Sequence, residues 1–244
     1  MATIKISIIT ATLNSANDLE SLIKSVIPHI SSKIEFIIID GKSEDSTVEI
    51  IKKYSHFLSH WESSFDSGLY EAFNKGIKIA KGEFISFVGS DDILLENYSE
   101  VYLRSILNNP ECNYFSSKGI LNDKEVGKNF SWKEMSSGMK IVHPGSLHKR
   151  TLFDSYGYFN TSYKIASDYE FLINCGTTIN NYFIDQPTVI IGPNGVSNLN
   201  HSLALEEVFQ IKNKNNLNNV IINIINLYYA KIKVKIKKIF LNAF

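Results

Sequence analysis

The chain has 244 residues, of which 44% are hydrophobic and 20% are charged, as is ordinary for a globular protein with room for one sizeable α/β core. The net charge is zero, but residues 210–244 hold seven lysines and no acid, which leaves 18 basic and 25 acidic residues elsewhere. This mildly acidic body argues against general nucleic-acid binding, and the basic tail indicates contact with an anionic surface.

Cys112 and Cys175 are expected to be core residues rather than a disulfide framework or a zinc site. The apolar stretch Ile4–Leu13 is interrupted by polar residues, and it lacks the cleavage site of a signal peptide. No uncharged run reaches the roughly 18 residues that cross a bilayer. We therefore expect a cytoplasmic protein whose membrane contact is at most peripheral.

Strand and helix patterns alternate over the first part of the chain. Runs of apolar residues predict strands at Ile4–Thr12, Ile34–Ile39, Phe57–Trp61 and Glu83–Val88. Apolar residues at helical spacing predict helices at Ala16–Ile30, Ser46–Tyr54 and Leu69–Ala80. The second helix is expected to begin with a capping box formed by Ser46 and Glu49. Strands that alternate with helices pair in parallel, so the expected fold class is α/β.

The later part of the chain is less regular. The expected elements are a helix near Asn97–Leu107, strands near Asn113–Ser117 and Gly119–Leu121, and short helices at Lys149–Tyr156 and Asp168–Cys175. The asparagine-rich stretch Lys212–Asn219 is expected to be a linker or an exposed helix end. We therefore divide the chain into a domain of residues 1–210 and a basic, amphipathic extension of residues 211–244.

In this extension, the apolar residues 220–229 precede lysines at every second position from Lys231 to Lys237. A period of two is typical of an amphipathic strand, whereas a helix would spread these lysines around its axis. In either form, apolar and basic residues together fit a membrane surface. The alternative is a solvated helix that packs on the body of the protein.

Acidic residues follow two of the predicted strands. Asp40 ends one strand, and Asp91 and Asp92 follow another, at the strand ends where open α/β sheets bind ligands. Adjacent carboxylates repel one another unless a cation lies between them, and Mg²⁺ or Mn²⁺ bound to a diphosphate supplies that charge. The alternative for all three residues is an ordinary turn, in which aspartate is common.

Five further polar residues are candidates for a site. Asp66 precedes the helix that carries Asn74, and it either caps that helix or lines a nucleotide or sugar pocket. Asp168 and Glu170 open a later helix, where they stabilise its N-terminus or one of them acts as a general base. His143 lies in a polar loop and is either structural or a contact for a metal, phosphate or acceptor.

The order of these residues resembles the family 2 glycosyltransferases, a large inverting family with a GT-A fold. In that fold, a Rossmann-like, mainly parallel sheet is flanked by helices. The segments that carry the resemblance are Ser7–Asn14, Ile38–Thr47, Ser64–Gly76, Ala80–Glu83, Gly89–Asp92 and Ser167–Glu170. The third segment is similar to the subgroup that builds bacterial O-antigen and capsule repeats.

The resemblance implies a role for each candidate residue. Those implied to bind the nucleotide or the donor sugar are Thr10, Thr12, Asn14, Asp40, Asp66, Asn74 and Asp91. Asp92 would bind the cofactor Mn²⁺ or Mg²⁺, although Ser90 stands where the family's metal motif more often begins with aspartate. Asp168 would be the catalytic base, with Glu170 as the alternative. His143 and Glu170 are candidate acceptor or phosphate contacts.

The implied activity is transfer of a hexose or N-acetylhexosamine from a nucleotide sugar, by preference a UDP-sugar. The implied acceptor is a lipid-linked saccharide, such as a polyprenyl diphosphate sugar, in O-antigen or other surface polysaccharide synthesis. Such an enzyme would work at the inner face of a bacterial plasma membrane, with its basic C-terminus as the membrane contact.

Two alternatives remain open, a sugar nucleotidyltransferase and a non-catalytic binding protein with a GT-A fold. The first is disfavoured because residues 12–17 contain neither glycine nor a basic residue, and the second because all the acidic motifs are intact. A dehydrogenase and a P-loop NTPase are disfavoured because their glycine-rich motifs are missing.

Overall fold

The structure, a computed structural model, describes residues 4–139, 141–195 and 200–241, and for residues 133 and 233–241 it describes the backbone alone. The strands in the described residues are β1 (Ile6–Thr12), β2 (Ile34–Asp40), β3 (His60–Ser63), β4 (Phe84–Phe87), β5 (Ile93–Leu94), β6 (Tyr114–Leu121), β7 (Lys124–Val126), β8 (Leu147–Lys149) and β9 (Asn181–Ile190). The helices are α1 (Leu19–Val26), α2 (Thr47–Lys53), α3 (Leu69–Ile79), α4 (Tyr98–Asn108), α5 (Trp132–Met135), α6 (Arg150–Tyr156), α7 (Ser167–Cys175), α8 (His201–Lys214) and α9 (Val220–Leu241). The predicted α/β fold class is confirmed.

One sheet contains all these strands, in the order β3-β2-β1-β4-β8-β6-β9-β5, with β7 paired to β6. The first four strands are parallel, as predicted. Every residue of β1 and β2 is buried, as expected for strands that helices cover on both faces. Thr12 lies opposite Asp40 in the register, so these two polar residues end neighbouring strands at the same edge.

The second half of the sheet adds antiparallel pairs. Strand β8 runs antiparallel to β4 and β6, and β5 runs antiparallel to β9. Strand β6 is continuous where two strands were expected, and it has register shifts against β9 around Lys118. The pairing of Ile93 with Ile190 brings the turn after β4 close to the end of β9, a strand that was not predicted.

The two faces of the sheet bury two hydrophobic clusters. Ile9 packs with α3 and α7 on one side, while the adjacent Ile8 packs with α1 and α4 on the other. Neighbouring strand residues point to opposite faces, so a nearly continuous apolar run serves both clusters. The loops at the carboxyl ends of the parallel strands are thereby supported from both sides.

Two local expectations were wrong, and one expected boundary falls within a helix. No side-chain hydrogen bond caps α2, so the expected capping box of Ser46 is absent from it; the Asp45 carboxylate instead accepts the Thr47 N–H at 3.0 Å. Strand β3 begins at His60 because Ser55–Phe57 forms a 3-10 turn. The boundary placed between residues 210 and 211 falls inside α8, which is continuous across it.

The C-terminal extension is helical rather than extended. Its helix α9 follows α8 after a short turn, and its buried Asn223 donates to Asn213 Oδ1 and to the Leu217 carbonyl. Much of the described helix surface is nevertheless apolar and exposed, at Val220, Ile221, Ile222, Ile224, Ile225, Tyr228, Tyr229 and Ile232. None of the helices in the described part of the chain is both long and apolar enough to cross a membrane.

Candidate active site

Two adjoining cavities open at the carboxyl ends of the parallel strands. The first cavity, of about 580 Å³, is lined by Thr12, Asn14, Asp66 and Asp91 among others. The second cavity, of about 560 Å³, is lined by residues that include Asp91, Asp92, His143 and Asp168. The two share Ala11, Leu69, Tyr70, Ser90, Asp91 and Asn194, so they form one cleft with Asp91 at the junction.

Asp91 and Asp92 differ in how the fold holds them. Asp92 is 3% exposed, and its two oxygens accept the N–H groups of Gly89 at 2.7 Å and Gly192 at 2.8 Å. Asp91 is less buried and accepts the Asn194 N–H at 2.7 Å. Asp91 therefore presents the more accessible carboxylate, although the sequence favoured Asp92 as the metal ligand.

Gly192 is required by this close packing. A Cβ atom at position 192 would lie 2.3 Å from Asp91 Cγ, far inside van der Waals contact. Burial raises the pKa of Asp92 to about 7, the two N–H groups oppose this shift, and the charge of Asp91 adds to it. A buried carboxylate beside a second carboxylate is a place where a cation would be stabilised.

The residues present fit a cation that arrives with its ligand. Within the described ranges, no group of three or more His, Cys, Asp or Glu side chains could hold a metal ion. Mg²⁺ is usually held by one or two carboxylates together with substrate phosphates rather than by an all-protein cage. Asp91 at the junction of the two cavities and Asp92 in the second cavity supply such a pair.

Asp168 lies at the start of α7 and lines the second cavity. The single Tyr70 O–H hydrogen is shared between two acceptors, the Ile165 carbonyl oxygen at 2.5 Å and Asp168 Oδ1 at 3.0 Å. Burial raises the pKa of Tyr70 well above its ordinary value, so it remains a donor. The carboxylate is thus oriented but retains access to the cavity, as a general base requires.

His143 lies beside this base, with its Nδ1 3.8 Å from Asp168 Oδ2. Its ring stacks on Phe87, with 5.7 Å between the ring centroids. Burial lowers the pKa of His143, and the negative charge of Asp168 opposes that shift. The imidazole is therefore neutral near pH 7, so it suits a polar contact to an acceptor better than a charged contact to phosphate.

Polar residues that line the first cavity differ in how far the protein already uses their hydrogen-bonding atoms. Thr12 Oγ1 is buried and has no hydrogen-bond partner among the described residues. Asn14 joins the loops after β1 and β2, since its N–H donates to Ser43 Oγ and its side-chain oxygen accepts the Glu44 N–H. Asp66 Oδ1 accepts the Gly68 N–H, and burial raises the pKa of Asp66.

Two predicted nucleotide contacts lie beneath the cleft rather than in its walls. Asp40 is fully buried and accepts hydrogen bonds from the Ser43 N–H and from the hydroxyls of Ser43 and Ser63. Thr10 is also fully buried, and neither residue lines either cavity. Asp40 orders the loop after β2, because its hydrogen-bonding capacity is taken by that loop and by Ser63.

Asn74 and Glu170 do not face the cleft. The Asn74 side chain donates to the Phe159 carbonyl and accepts the Phe159 N–H, so both its polar atoms have partners within the protein and it lines neither cavity. Glu170 is 4% exposed and pairs with Lys214 of α8 at 2.9 Å, so its carboxylate already has a charged partner within the protein. Of the two acids that open α7, Asp168 faces the second cavity.

Several wall residues were not identified from the sequence. Asn194 lines both cavities, and Tyr163 and Lys164 line the first. Tyr70 is not among the candidates named from the sequence either, but its hydroxyl contacts the candidate base directly. The position of Tyr70 within the Ser64–Gly76 motif is the signal that could have identified it from the sequence. Asn194 and Lys164 lie in irregular segments without such a pattern.

Comparison with known proteins shows the family of the chain. The profile described as Glycosyl transferase family 2 matches residues 7–167. A PGL/p-HBAD biosynthesis glycosyltransferase of Mycobacterium bovis is 26% identical over 183 residues, covering 72% of this chain and 71% of that protein.

Two solved structures share the fold. S. aureus TarS 1–349 in complex with UDP-GlcNAc has a TM-score of 0.73 at 19% identity, covering 92% of this chain and 70% of that one. The present chain spans 39% of the longer TarS chain. Mannosyltransferase PcManGT from Pyrobaculum calidifontis, in complex with GDP-Man and Mn²⁺, has a TM-score of 0.68 at 14% identity, covering 88% and 65% of the two chains. The match to the family profile over residues 7–167, together with a shared GT-A fold, shows that this chain belongs to glycosyl transferase family 2.

Proposed function

We propose that the protein transfers a hexose or N-acetylhexosamine from a UDP-sugar to a lipid-linked saccharide and inverts the anomeric centre. The observation that carries this proposal is the single cleft shared by a carboxylate pair, Asp91 and Asp92, and a separate oriented carboxylate, Asp168. The pair suits the diphosphate end of a donor, and the third carboxylate suits removal of a proton from an acceptor.

The first cavity is the proposed donor site. Thr12, Asn14 and Asp66 offer hydroxyl, amide and carboxyl groups along its wall, and Lys164 supplies a positive charge there. The TarS structure with UDP-GlcNAc and the PcManGT structure with GDP-Man support nucleotide-sugar binding by this fold. The preference for uridine rests on the sequence motif around Asp40.

The proposed cofactor is Mn²⁺ or Mg²⁺, which the more accessible Asp91 would bind, with the buried carboxylate of Asp92 next to it in the chain. A bound divalent cation stabilises negative charge that develops on a leaving diphosphate, and this contributes several kcal/mol. The presence of Mn²⁺ in the PcManGT complex supports this choice. Between them, Gly89 and Gly192 keep the Asp92 carboxylate fixed through their N–H groups, which holds the Asp91 turn in place.

Asp168 is the proposed base. Its carboxylate takes the proton of an acceptor hydroxyl while that oxygen forms a bond to the anomeric carbon. The bond from the anomeric carbon to the diphosphate oxygen breaks, and the nucleoside diphosphate leaves with the electron pair. A single displacement of this kind inverts the anomeric centre, so an α-linked donor gives a β-linked product.

The second cavity is the proposed acceptor site. Its described lining is largely apolar, with Leu69, Phe73, Met139, Ile141 and Val208 among the lining residues. The charged residues in that lining are Asp91, Asp92 and Asp168, so the described walls favour an uncharged portion of the acceptor beside the base. The diphosphate of a polyprenyl-linked acceptor would then lie farther out, towards the membrane.

Membrane contact is proposed for the C-terminal extension, residues 211–244, which follows a catalytic domain of residues 1–210. Ile221, Ile225 and Ile232 of α9 are more than half exposed, and the extension carries seven lysines without an acid. Each lysine near an anionic lipid surface contributes about 1 kcal/mol. The helix would therefore lie at the inner face of a bacterial plasma membrane, beside lipid-linked acceptors of surface polysaccharide synthesis.

A donor panel tests the proposal. Wild-type protein would be incubated with UDP-glucose, UDP-galactose, their N-acetyl forms or GDP-mannose, together with a synthetic polyprenyl diphosphate saccharide, with and without MnCl₂. We expect Mn²⁺-dependent release of UDP and a matching glycosylated lipid, and loss of both in Asp91→Asn. Transfer from GDP-mannose alone would overturn the choice of nucleotide, and absence of any nucleotide release would favour a non-catalytic binding protein.

A further inference from the structure

The segment that leads into the proposed base has no support from its own helix cap. Residues Lys164–Ala166 precede α7, and Ala166 occupies the N-cap position without a side-chain hydrogen bond to the helix. Ile165 and Ala166 are nearly fully buried, so their backbone N–H groups need partners within the protein. Asp168 follows two residues later, and its position therefore depends on how this segment is held.

The partner is a buried carboxylate from a distant part of the chain. Glu207 of α8 is 4% exposed, and its Oε1 accepts the Lys164 N–H at 2.7 Å. Its Oε2 accepts the N–H groups of Ile165 at 2.8 Å and Ala166 at 2.9 Å. Three consecutive N–H groups that converge on one anion form a concave anion site, and hydrogen bonds to a charged acceptor are the stronger kind.

The same segment is held from its other side by the residue that contacts the base. The Tyr70 hydroxyl lies within hydrogen-bond distance of both the Ile165 carbonyl and Asp168 Oδ1 and shares its one hydrogen between them. Helix α8 is joined to α7 a second time by the Lys214–Glu170 ion pair. The base is therefore located by α3 on one side and by α8 on the other.

We infer that Glu207 is a positioning residue for the transfer reaction and acts through Asp168. The inference rests on the proposed function, in which Asp168 is the base. Glu207 lies beyond residue 167, where the family match ends, and it lines neither cavity. Its effect is therefore on the placement of the base rather than on the donor or the acceptor directly.

Glu207→Gln keeps the size of the side chain but replaces one acceptor oxygen by an NH₂ group that faces backbone donors. A small displacement of a catalytic group lowers turnover strongly, so we expect kcat to fall by about 10- to 100-fold. The KM for the donor should change much less than kcat, because Thr12, Asn14 and Asp66 of the first cavity stand on other loops and only Lys164 belongs to the segment that Glu207 holds. Hydrogen exchange at the amides of residues 164–166 should become faster.

Glu206→Gln is the matched control. Glu206 is the preceding residue of α8 and pairs with Lys231 of α9, away from residues 164–166. Wild type, Glu206→Gln and Glu207→Gln would be compared in kcat, donor KM and amide exchange, both alone and in an Asp168→Asn background. We expect only Glu207→Gln to lower kcat, and we expect no further loss from it once Asp168 has been replaced.

The inference would be overturned if Glu207→Gln had the kcat and the amide exchange of wild type. It would also be overturned if Glu207→Gln lowered kcat by the same factor in the Asp168→Asn background as in wild type. If Glu207→Gln does not fold, Glu207→Asp keeps the charge but withdraws it by one methylene, and it should show a smaller loss of kcat with the same faster exchange. Failure of the proposed function is distinguishable, because Asp168→Asn alone would then transfer sugar at the wild-type rate.

Discussion

The buried carboxyl of Asp92 gives the protein a defined dependence of stability on pH. Burial raises the pKa of Asp92 from its ordinary 3.8 to about 7. Between these pH values the folded protein keeps a proton that the unfolded chain has lost, so this residue makes the free energy of unfolding fall as pH rises. Since one pKa unit corresponds to 1.36 kcal/mol, a pKa near 7 lowers stability by about 2.5 kcal/mol between pH 5 and pH 8.

Asp92→Asn isolates this effect. The buried imidazoles of His143 and His148 have lowered pKa values because of burial. They make stability rise with pH over part of the same range, so the wild-type curve alone mixes opposite effects. The substitution also changes two backbone hydrogen bonds, but that cost does not depend on pH. From pH 5 to pH 8, the free energy of unfolding of wild type should therefore fall by about 2.5 kcal/mol relative to that of Asp92→Asn.

Urea unfolding of both proteins, followed by circular dichroism across this range without added divalent cation, measures that difference. Asp91→Asn is the matched control from the same turn. It should keep most of the wild-type slope, because burial rather than the charge of Asp91 is the largest cause of the shift. Parallel curves for wild type and Asp92→Asn would refute the reasoning and place Asp92 in contact with solvent.

Three further predictions follow from contacts in the fold. Asn74→Ala should lower the free energy of unfolding by about 2 kcal/mol, because it removes two hydrogen bonds from the Asn74 side chain to the Phe159 backbone. Urea unfolding and donor titration would check this. A weaker donor affinity at unchanged stability would contradict it. Tyr70→Phe should reduce kcat by about tenfold through loss of the hydrogen bond to Asp168, and unchanged turnover in steady-state assays would oppose this role. Ile225→Glu should weaken binding to anionic vesicles by about tenfold more than Asn226→Glu does. The control adds the same charge at an exposed position but removes no apolar surface. Equal sedimentation of the two variants with vesicles would argue against membrane contact through this face of α9.

The first half of the fold could be predicted because its strands are self-evident in the sequence. Strands β1 and β2 are buried on both faces, so the chain there is an almost continuous apolar run, and polar residues stand where each strand ends. Parallel pairing then brings those ends to one edge. Asp91 and Asp168 were identified on this basis and by resemblance, and the fold places both in one cleft.

The direction of individual side chains could not be predicted in the same way. Asp40, Asn74 and Glu170 occupy motif positions, yet their polar atoms are used by Ser63, by the Phe159 backbone and by Lys214 respectively. Each partner comes from a distant part of the chain, so no local pattern shows that the side chain is already paired. A motif thus indicates which segments meet, whereas tertiary contacts decide which atoms remain available to a ligand.

The later strands were missed for a related reason. Strand β5 has only two residues, and β9 shifts register against β6 around Pro187. Neither has the alternation of apolar and polar residues that makes a half-buried strand recognisable. Their pairing nevertheless packs Gly192 against Asp91 and Asp92. Part of the candidate metal site therefore depends on the strands that are hardest to recognise from the sequence.

The initial rate of sugar transfer by Asp168→Asn, at saturating UDP-sugar and Mn²⁺, tests the central claim most directly. Asp154→Asn, the same change at an exposed aspartate of α6 that lines neither cavity, is the matched control, and donor binding is measured for both variants. We expect Asp168→Asn to bind donor normally and to lose about 10²- to 10⁴-fold in rate, while the control keeps its rate. Transfer by Asp168→Asn at the wild-type rate would contradict the assignment of Asp168 as the base.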